Sequence, residues 1–182
     1  MVALFIMKIY IINEEYIKKL TSVDTKVSLI KNIRPKIGVI FEFHKVQYFA
    51  PLSSKDLRNK KSNYTFHLIS ESENLGVVHI NNMVPLKDLN MVSELDFDSV
   101  KNITYKDLLM KQARILKGEN FTKTLIKKAD SLYQSVTKET NLNHQNGFYK
   151  KLSNNFRNLE EYAFNTNTNP PHKNKYKPYL RG

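Results

Sequence analysis

The sequence predicts an α+β domain: a strongly twisted, mostly antiparallel sheet comes first in the chain, and helices surround it. Two observations carry this. From Met7 to Leu86, short runs of β-branched and aromatic residues alternate with turn residues, the pattern of successive hairpin strands. Beyond residue 100 the apolar spacing switches to three and four, the period of helices. A chain of 182 residues that is 41% hydrophobic can bury one core. The predicted domain spans residues 1–164. The Asn-, Thr-, Pro- and Lys-rich stretch 165–182 reads as a basic tail, disordered unless a partner orders it.

Met7–Ile12 reads as the first strand, and Met7 is an alternative start that would leave Met1–Ile6 as a dispensable leader. Asn13 then caps a helix to about Leu20. Glu14 and Glu15 in its first turn and Lys18 and Lys19 in its last suit the helix dipole. Thr21–Ile33 is polar and poorly periodic, hence a loop. Arg34-Pro35 introduces a strand, Lys36–Phe43, and His44-Lys45 makes a two-residue hairpin connection although it lacks an Asn-Gly signal. In the returning strand, Pro51 cannot donate to a ladder and should mark the strand end or a sheet edge.

A charged loop, Asp56–Asn63, leads to strands at Tyr64–Ile69 and Leu75–Ile80, and Met83–Leu86 packs on as an irregular segment. Three helical stripes follow. They are Tyr105, Leu108, Leu109, Gln112, Ala113 and Leu116; then Leu125, Ala129, Leu132 and Val136; then Phe148, Leu152, Phe156, Leu159 and Ala163.

Charge narrows the function. With 29 Lys+Arg against 17 Asp+Glu the formal charge is +12, which favours a polyanionic partner, nucleic acid before an anionic membrane. An AT-rich gene would also inflate Lys, Asn and Ile. The absence of cysteine excludes a thiol nucleophile, a Cys-ligated zinc and disulfides. The apolar start is too short to span a bilayer and lacks signal-peptide features, so a cytoplasmic protein is expected. No Walker A, G-x-G-x-x-G, G-x-S-x-G or H-E-x-x-H pattern occurs. The acidic group Glu94, Asp96 and Asp98 could hold Mg²⁺, but its commoner meaning is a solvated loop before a helix. The five histidines are scattered, and nothing in their spacing asks for an acid–base pair.

The remaining chemistry gathers at Ser53-Ser54-Lys55, delivered at a strand end with Arg58, Lys60 and Lys61 close behind. Most Ser-Lys turns are solvated surface turns. Hydroxyls, cations and phenols near a basic sheet nevertheless suffice for RNA cleavage. The substrate's own 2′-hydroxyl attacks the adjacent phosphate, so the protein needs neither a nucleophile nor a metal. It must align the strand and stabilise the charge growing on phosphate oxygens.

Five blocks, from about residue 7 to 117, go further: Met7-Lys8-Ile9-Tyr10 with Tyr16, Arg34–Ile40, Lys45–Lys55, Leu75–Pro85 and Tyr105–Gln112. Tyr-x-Ala-Pro-Leu-Ser-Ser-Lys and Gly-x-x-x-x-Asn-x-Met-x-Pro are the specific ones. In these residues and their order the chain resembles the ToxN/AbiQ endoribonuclease toxins of type III toxin–antitoxin systems. Its length and N-terminal extension suit AbiQ within that family.

The resemblance implies a Kid/MazF-like twisted sheet surrounded by helices. It implies sequence-specific RNA cleavage without cofactor or metal, leaving 2′,3′-cyclic phosphates. It also implies an antitoxin RNA of tandem pseudoknot repeats that the toxin cuts out, binds in a hetero-oligomer and is inhibited by, with release during phage infection. By residue, Ser53 and Ser54 match paired hydroxyls and Tyr16 matches a site tyrosine. Arg34, with Lys36 as rival, matches a lysine before the Ile-Gly strand. The family has Pro between the second hydroxyl and its lysine, whereas Lys55 follows Ser54 directly, so Lys55, Arg58 and Lys60 compete for that cation. Further RNA contacts are expected from Tyr48, Lys61, Tyr105, Lys111, Gln112 and Arg114. The reading from a different class is a basic protein that binds RNA without cutting it.

Overall fold

The two-residue connection His44-Lys45 sets the centre of the sheet. Both residues are left-handed, with φ of 53° and 63°, the geometry whose twist matches a tight hairpin. It joins β2 (Ile37–Phe43) to β3 (Val46–Ser53), with Phe43 opposite Val46 and Gly38 opposite Pro51. In the computed structural model, which describes residues 7–27, 36–61, 63–138 and 144–165, this hairpin is flanked on both sides. Strand β1 (Ile9–Ile12) pairs with β2, while β5 (Val77–His79) and β6 (Val84–Pro85) share the far side of β3. With β4 (Phe66–Leu68) beyond β5 and β7 (Val92–Glu94) beyond β1, the described residues form a seven-stranded sheet, antiparallel at every pairing. Arg34, the tail beyond residue 165 and the choice between Met1 and Met7 as start lie outside the described residues.

Pro51 is not at the strand end. It sits inside β3, between the residues that pair with β6 (Tyr48, Phe49) and those that pair with β5 (Leu52, Ser53). Its missing N–H falls at the change of partner strand and interrupts neither ladder.

Helices cover both faces, as the alternation of the strands requires. On one face Val39, Phe41, Tyr48, Ala50 and Val78 pack with α2 (Ile103–Leu116) and α3 (Glu119–Thr137) through Leu109, Leu116, Leu125, Ala129 and Leu132. On the other, Ile12, Phe49, Val84 and Leu86 meet Tyr16, Ile17 and Leu20 of α1 (Glu14–Val23) and Leu159 of α5 (Phe156–Phe164). Asn13 caps α1 through Glu15 N–H and Tyr16 N–H. The helix runs past Leu20 to Val23, so Lys18 and Lys19 are interior and no basic residue lies in its last turn.

The third stripe is two helices rather than one. α4 (His144–Leu152) stops at Ser153-Asn154, and Asn155 caps α5, accepting from Asn158 N–H. Asn prefers such caps to helix interiors because its side chain competes for backbone hydrogen bonds. The rotation between the two helices exposes Phe148 and Leu152 and buries Tyr149 instead. The break also serves as a dock. Asn81 donates to Leu152 O at 2.8 Å, Asn154 N–H donates to Asn81 O at 2.9 Å, and Asn154 Nδ2 reaches Met83 O at 3.3 Å. The Asn and Met of the Gly-x-x-x-x-Asn-x-Met-x-Pro block therefore join the sheet to the C-terminal helices.

Candidate active site

Three adjacent strands put functional side chains on one face. Phe49, Pro51 and Ser53 alternate on β3, and Val77 lies opposite Ser53 on β5, so His79 shares that face two residues along. Lys36, one turn of the pleat before Gly38, reaches the same face from the start of β2. Gly38 clears the approach: a Cβ there would lie 2.5 Å from the Phe49 ring and 2.4 Å from Ala50 O. The result is a cleft of about 250 Å³, polar along Lys36, Ser53, His79 and Asn82, and apolar along Ile17, Val27, Phe49 and Val84.

The serine turn at its rim is held from behind. Ser53 Oγ accepts Lys55 N–H at 3.1 Å, which leaves the hydroxyl proton available for a phosphate oxygen. Gly76 backs onto the Ser53–Ser54 peptide, has φ of 81°, and would place a Cβ 1.9 Å from Ser53 O. Gln112 on α2 donates to Leu75 O at 2.7 Å and so fixes the residue beside that glycine. Ser54 and Lys55 are exposed, and Ser53 is half-buried.

The charges are uneven. Burial lowers the pKa of the Lys36 ammonium, and an arriving phosphate would pull it back up. Burial first, and the Lys55 charge second, lower the pKa of His79, so its imidazole is neutral at neutral pH. Arg58, the rival of Lys55, is committed elsewhere: its guanidinium takes both Asp56 oxygens at 2.8 and 3.0 Å and donates to Ser72 O at 3.1 Å. That pair holds the Asp56 carboxyl down to about 2.

The chain as a whole matches known proteins. A family model described as toxin ToxN of type III toxin–antitoxin systems matches residues 8–163. This chain belongs to the ToxN family. The endoribonuclease ToxN of Bacillus thuringiensis subsp. kurstaki is 31% identical over 160 residues, 85% of this chain and 81% of its own. The endoribonuclease ToxN of Pectobacterium atrosepticum is 31% identical over 142 residues, 71% of this chain and 81% of its own. A solved toxin, described with its selective inhibition by a non-coding RNA pseudoknot, superposes at TM-score 0.70 and 27% identity, over 86% of this chain and 95% of its own. AbiQ, a lactococcal anti-phage endoribonuclease, shares the fold at TM-score 0.68 over 86% of this chain and 95% of its own, but at 20% identity it is not this chain itself.

Set against this ToxN-family fold, several expected contacts move. Tyr48 is 1% exposed and donates its hydroxyl to Glu160, so it cannot stack on a base. Tyr133 donates to the same carboxylate at 2.9 Å, and burial pushes Glu160 up to about 7. Gln112 is 2% exposed and belongs to the support of Leu75, not to an RNA-facing wall. Gln112→Ala is therefore expected to cost about 2–3 kcal/mol in urea unfolding, from a lost buried hydrogen bond and a cavity, with RNA affinity of the folded variant unchanged.

Tyr16 is buried and donates to Pro85 O at 2.6 Å, with burial raising its pKa. It fixes β6 against α1 and does not line the cleft. Lys60, Lys61 and Arg114 are exposed, as is Lys111, 3.9 Å from Glu73; Tyr105 is half-buried against the core. The acidic group is engaged singly: Glu94 with Lys8 and Asp98 with Lys106, each at 2.8 Å, and Asp96 as a cap accepting from Asp98 N–H.

His79 lines the cleft although the sequence reading did not name it as a site residue. Its signal was its place in the Gly-x-x-x-x-Asn block, three residues after Gly76. His67 is no partner for it, since it sits opposite Val78 on the other face, its ring centroid 4.7 Å from that of Phe121.

Proposed function

We propose that this toxin is an endoribonuclease whose active site is the cleft between β2, β3 and β5, acting in the cytoplasm. The observation that carries the reading is the convergence of Lys36 and Ser53 inside that cleft, with exposed Ser54 and Lys55 next in the chain. Ser53 and Ser54 donate to the scissile phosphate. Lys55 and Lys36 stabilise the charge that develops on its non-bridging oxygens, the interaction worth most when it strengthens in the transition state. The 2′-oxygen bonds to phosphorus, the bond to the 5′-oxygen breaks, and the products end in a 2′,3′-cyclic phosphate and a 5′-hydroxyl. No metal is needed for this internal displacement. Arg34 remains a further cation of the same site, proposed on the family resemblance alone.

The inhibitor in this reading is a repeat RNA folded as a pseudoknot. The basic surface and the pseudoknot-inhibited relative at 27% identity support it. A tandem array of short repeats upstream of the gene is the expected companion.

Purified protein incubated with single-stranded RNA in excess EDTA is expected to yield fragments with cyclic-phosphate ends. Binding without cleavage would favour the non-catalytic RNA-binding reading. Cleavage that requires Mg²⁺ would return attention to Glu94, Asp96 and Asp98.

A further inference from the structure

We propose that His79 is the general base of the reaction, taking the proton from the attacking 2′-hydroxyl. The inference rests on the endoribonuclease reading and supplies the one role that hydroxyls and ammonium groups cannot fill. It stands first on register. Ser53 lies opposite Val77, so His79 is its diagonal neighbour on the same face, roughly 7–8 Å away with the Cβ atoms somewhat closer. A phosphate held by Ser53 would fill that gap, with the 2′-oxygen of the preceding ribose towards His79. Both residues line the same cleft.

The surroundings keep the imidazole ready to accept. Lys36 reaches the cleft from β2, Lys55 acts on the ring from the turn after β3, and Asn82 follows on the His79 segment. The α1 side contributes apolar Ile17, and the β4 neighbour is Phe66. No carboxylate lines the cleft among the described residues. Among the described residues nothing stabilises an imidazolium, whereas the phosphorane's negative charge would stabilise it as it forms. The ring takes the 2′-proton while the 2′-oxygen bonds to phosphorus, and the 5′-oxygen leaves with a proton from solvent.

The test is single-turnover cleavage of single-stranded RNA in EDTA between about pH 5 and 8, with binding of a 2′-deoxy analogue measured in parallel. For the wild type, the rate is expected to rise with pH through an apparent pKa below the ordinary histidine value of about 6.5, then level off. His79→Gln is expected to lower the plateau by on the order of 10²–10³-fold, erase the acid limb and leave analogue binding within about twofold. Lys55→Gln, which removes a cation that disfavours imidazolium, is expected to move the acid limb of the residual activity to higher pH. A purely structural His79 would not give these pH shifts.

His79→Gln cleaving at the wild-type rate would overturn the proposal while leaving the endoribonuclease reading intact. A flat wild-type profile would overturn it even if the variant fails to fold. A wild type that leaves RNA uncut in EDTA would overturn both.

Discussion

Lys55→Ala will lower RNA cleavage by on the order of 10²–10³-fold and abolish toxicity on expression, while leaving the fold and most of the antitoxin affinity in place. The expectation follows from what the side chain does and does not touch. Lys55 is exposed at the rim, and its backbone N–H, not its ammonium, maintains the turn by donating to Ser53 Oγ. Alanine keeps that bond and removes no core packing. It removes a cation beside the cleft, and a preorganised charge at a developing oxyanion is worth roughly 3–4 kcal/mol. RNA binding should fall only modestly, since a single phosphate contact is lost among the many that a chain of charge +12 can make. Ser54→Ala should behave the same way. Single-turnover rates and growth on induction read both, and full toxicity in both variants would mean that the site lies elsewhere.

Gly76→Ala will damage folding and catalysis together. The position has φ of 81°, costly for any residue with a Cβ, and the added carbon would sit 1.9 Å from Ser53 O and 2.9 Å from Ser54 Cα. Backbone cannot step aside as a flexible side chain would, so the Ser53–Ser54 peptide must move. A loss of at least about 3 kcal/mol in denaturant unfolding is expected, with cleavage falling further than the unfolded fraction explains. Gly147 provides the contrast. It lies within α4 with nothing inside 4 Å of its would-be Cβ, so Gly147→Ala should stabilise by about 0.5–1 kcal/mol through helix propensity alone. If the two alanine variants behaved alike, the close approach at Gly76 would not be what holds the serine turn.

These two cases show what could be read from the residues. The alternation of β-branched and aromatic residues placed β2, β3 and the hairpin between them correctly, because a period of two has one structural meaning. His44-Lys45 adopts the tight left-handed turn without glycine because the register of two long strands enforces it. Ser53 was legible as a strand-end hydroxyl, and its partners in the cleft were not. Lys36, Ser53 and His79 come from strands joined by non-adjacent pairing, β5 lying on β3 rather than following it, and no local pattern encodes that neighbour.

Tyr48 and Gln112 were misplaced for a related reason. Each carries a polar tip that suits a binding surface, but each is buried with that tip turned inward, the Tyr48 hydroxyl donating to Glu160 and the Gln112 amide nitrogen to Leu75 O. Burial is decided by distant segments. The split of the last helical stripe was encoded locally, in Ser153-Asn154-Asn155, but apolar spacing continuing across it masked the cap.

In this mechanism RNA is cut by its own 2′-hydroxyl in the Ser53 cleft. It is tested most directly by a single-stranded substrate in which only the nucleotide 5′ to the mapped cut carries a 2′-deoxy sugar. Wild-type protein is expected to bind this RNA as it binds the unmodified strand and to leave it uncut at that position. Cleavage there at the normal rate would mean that water or a protein group, and not the 2′-hydroxyl, is the nucleophile.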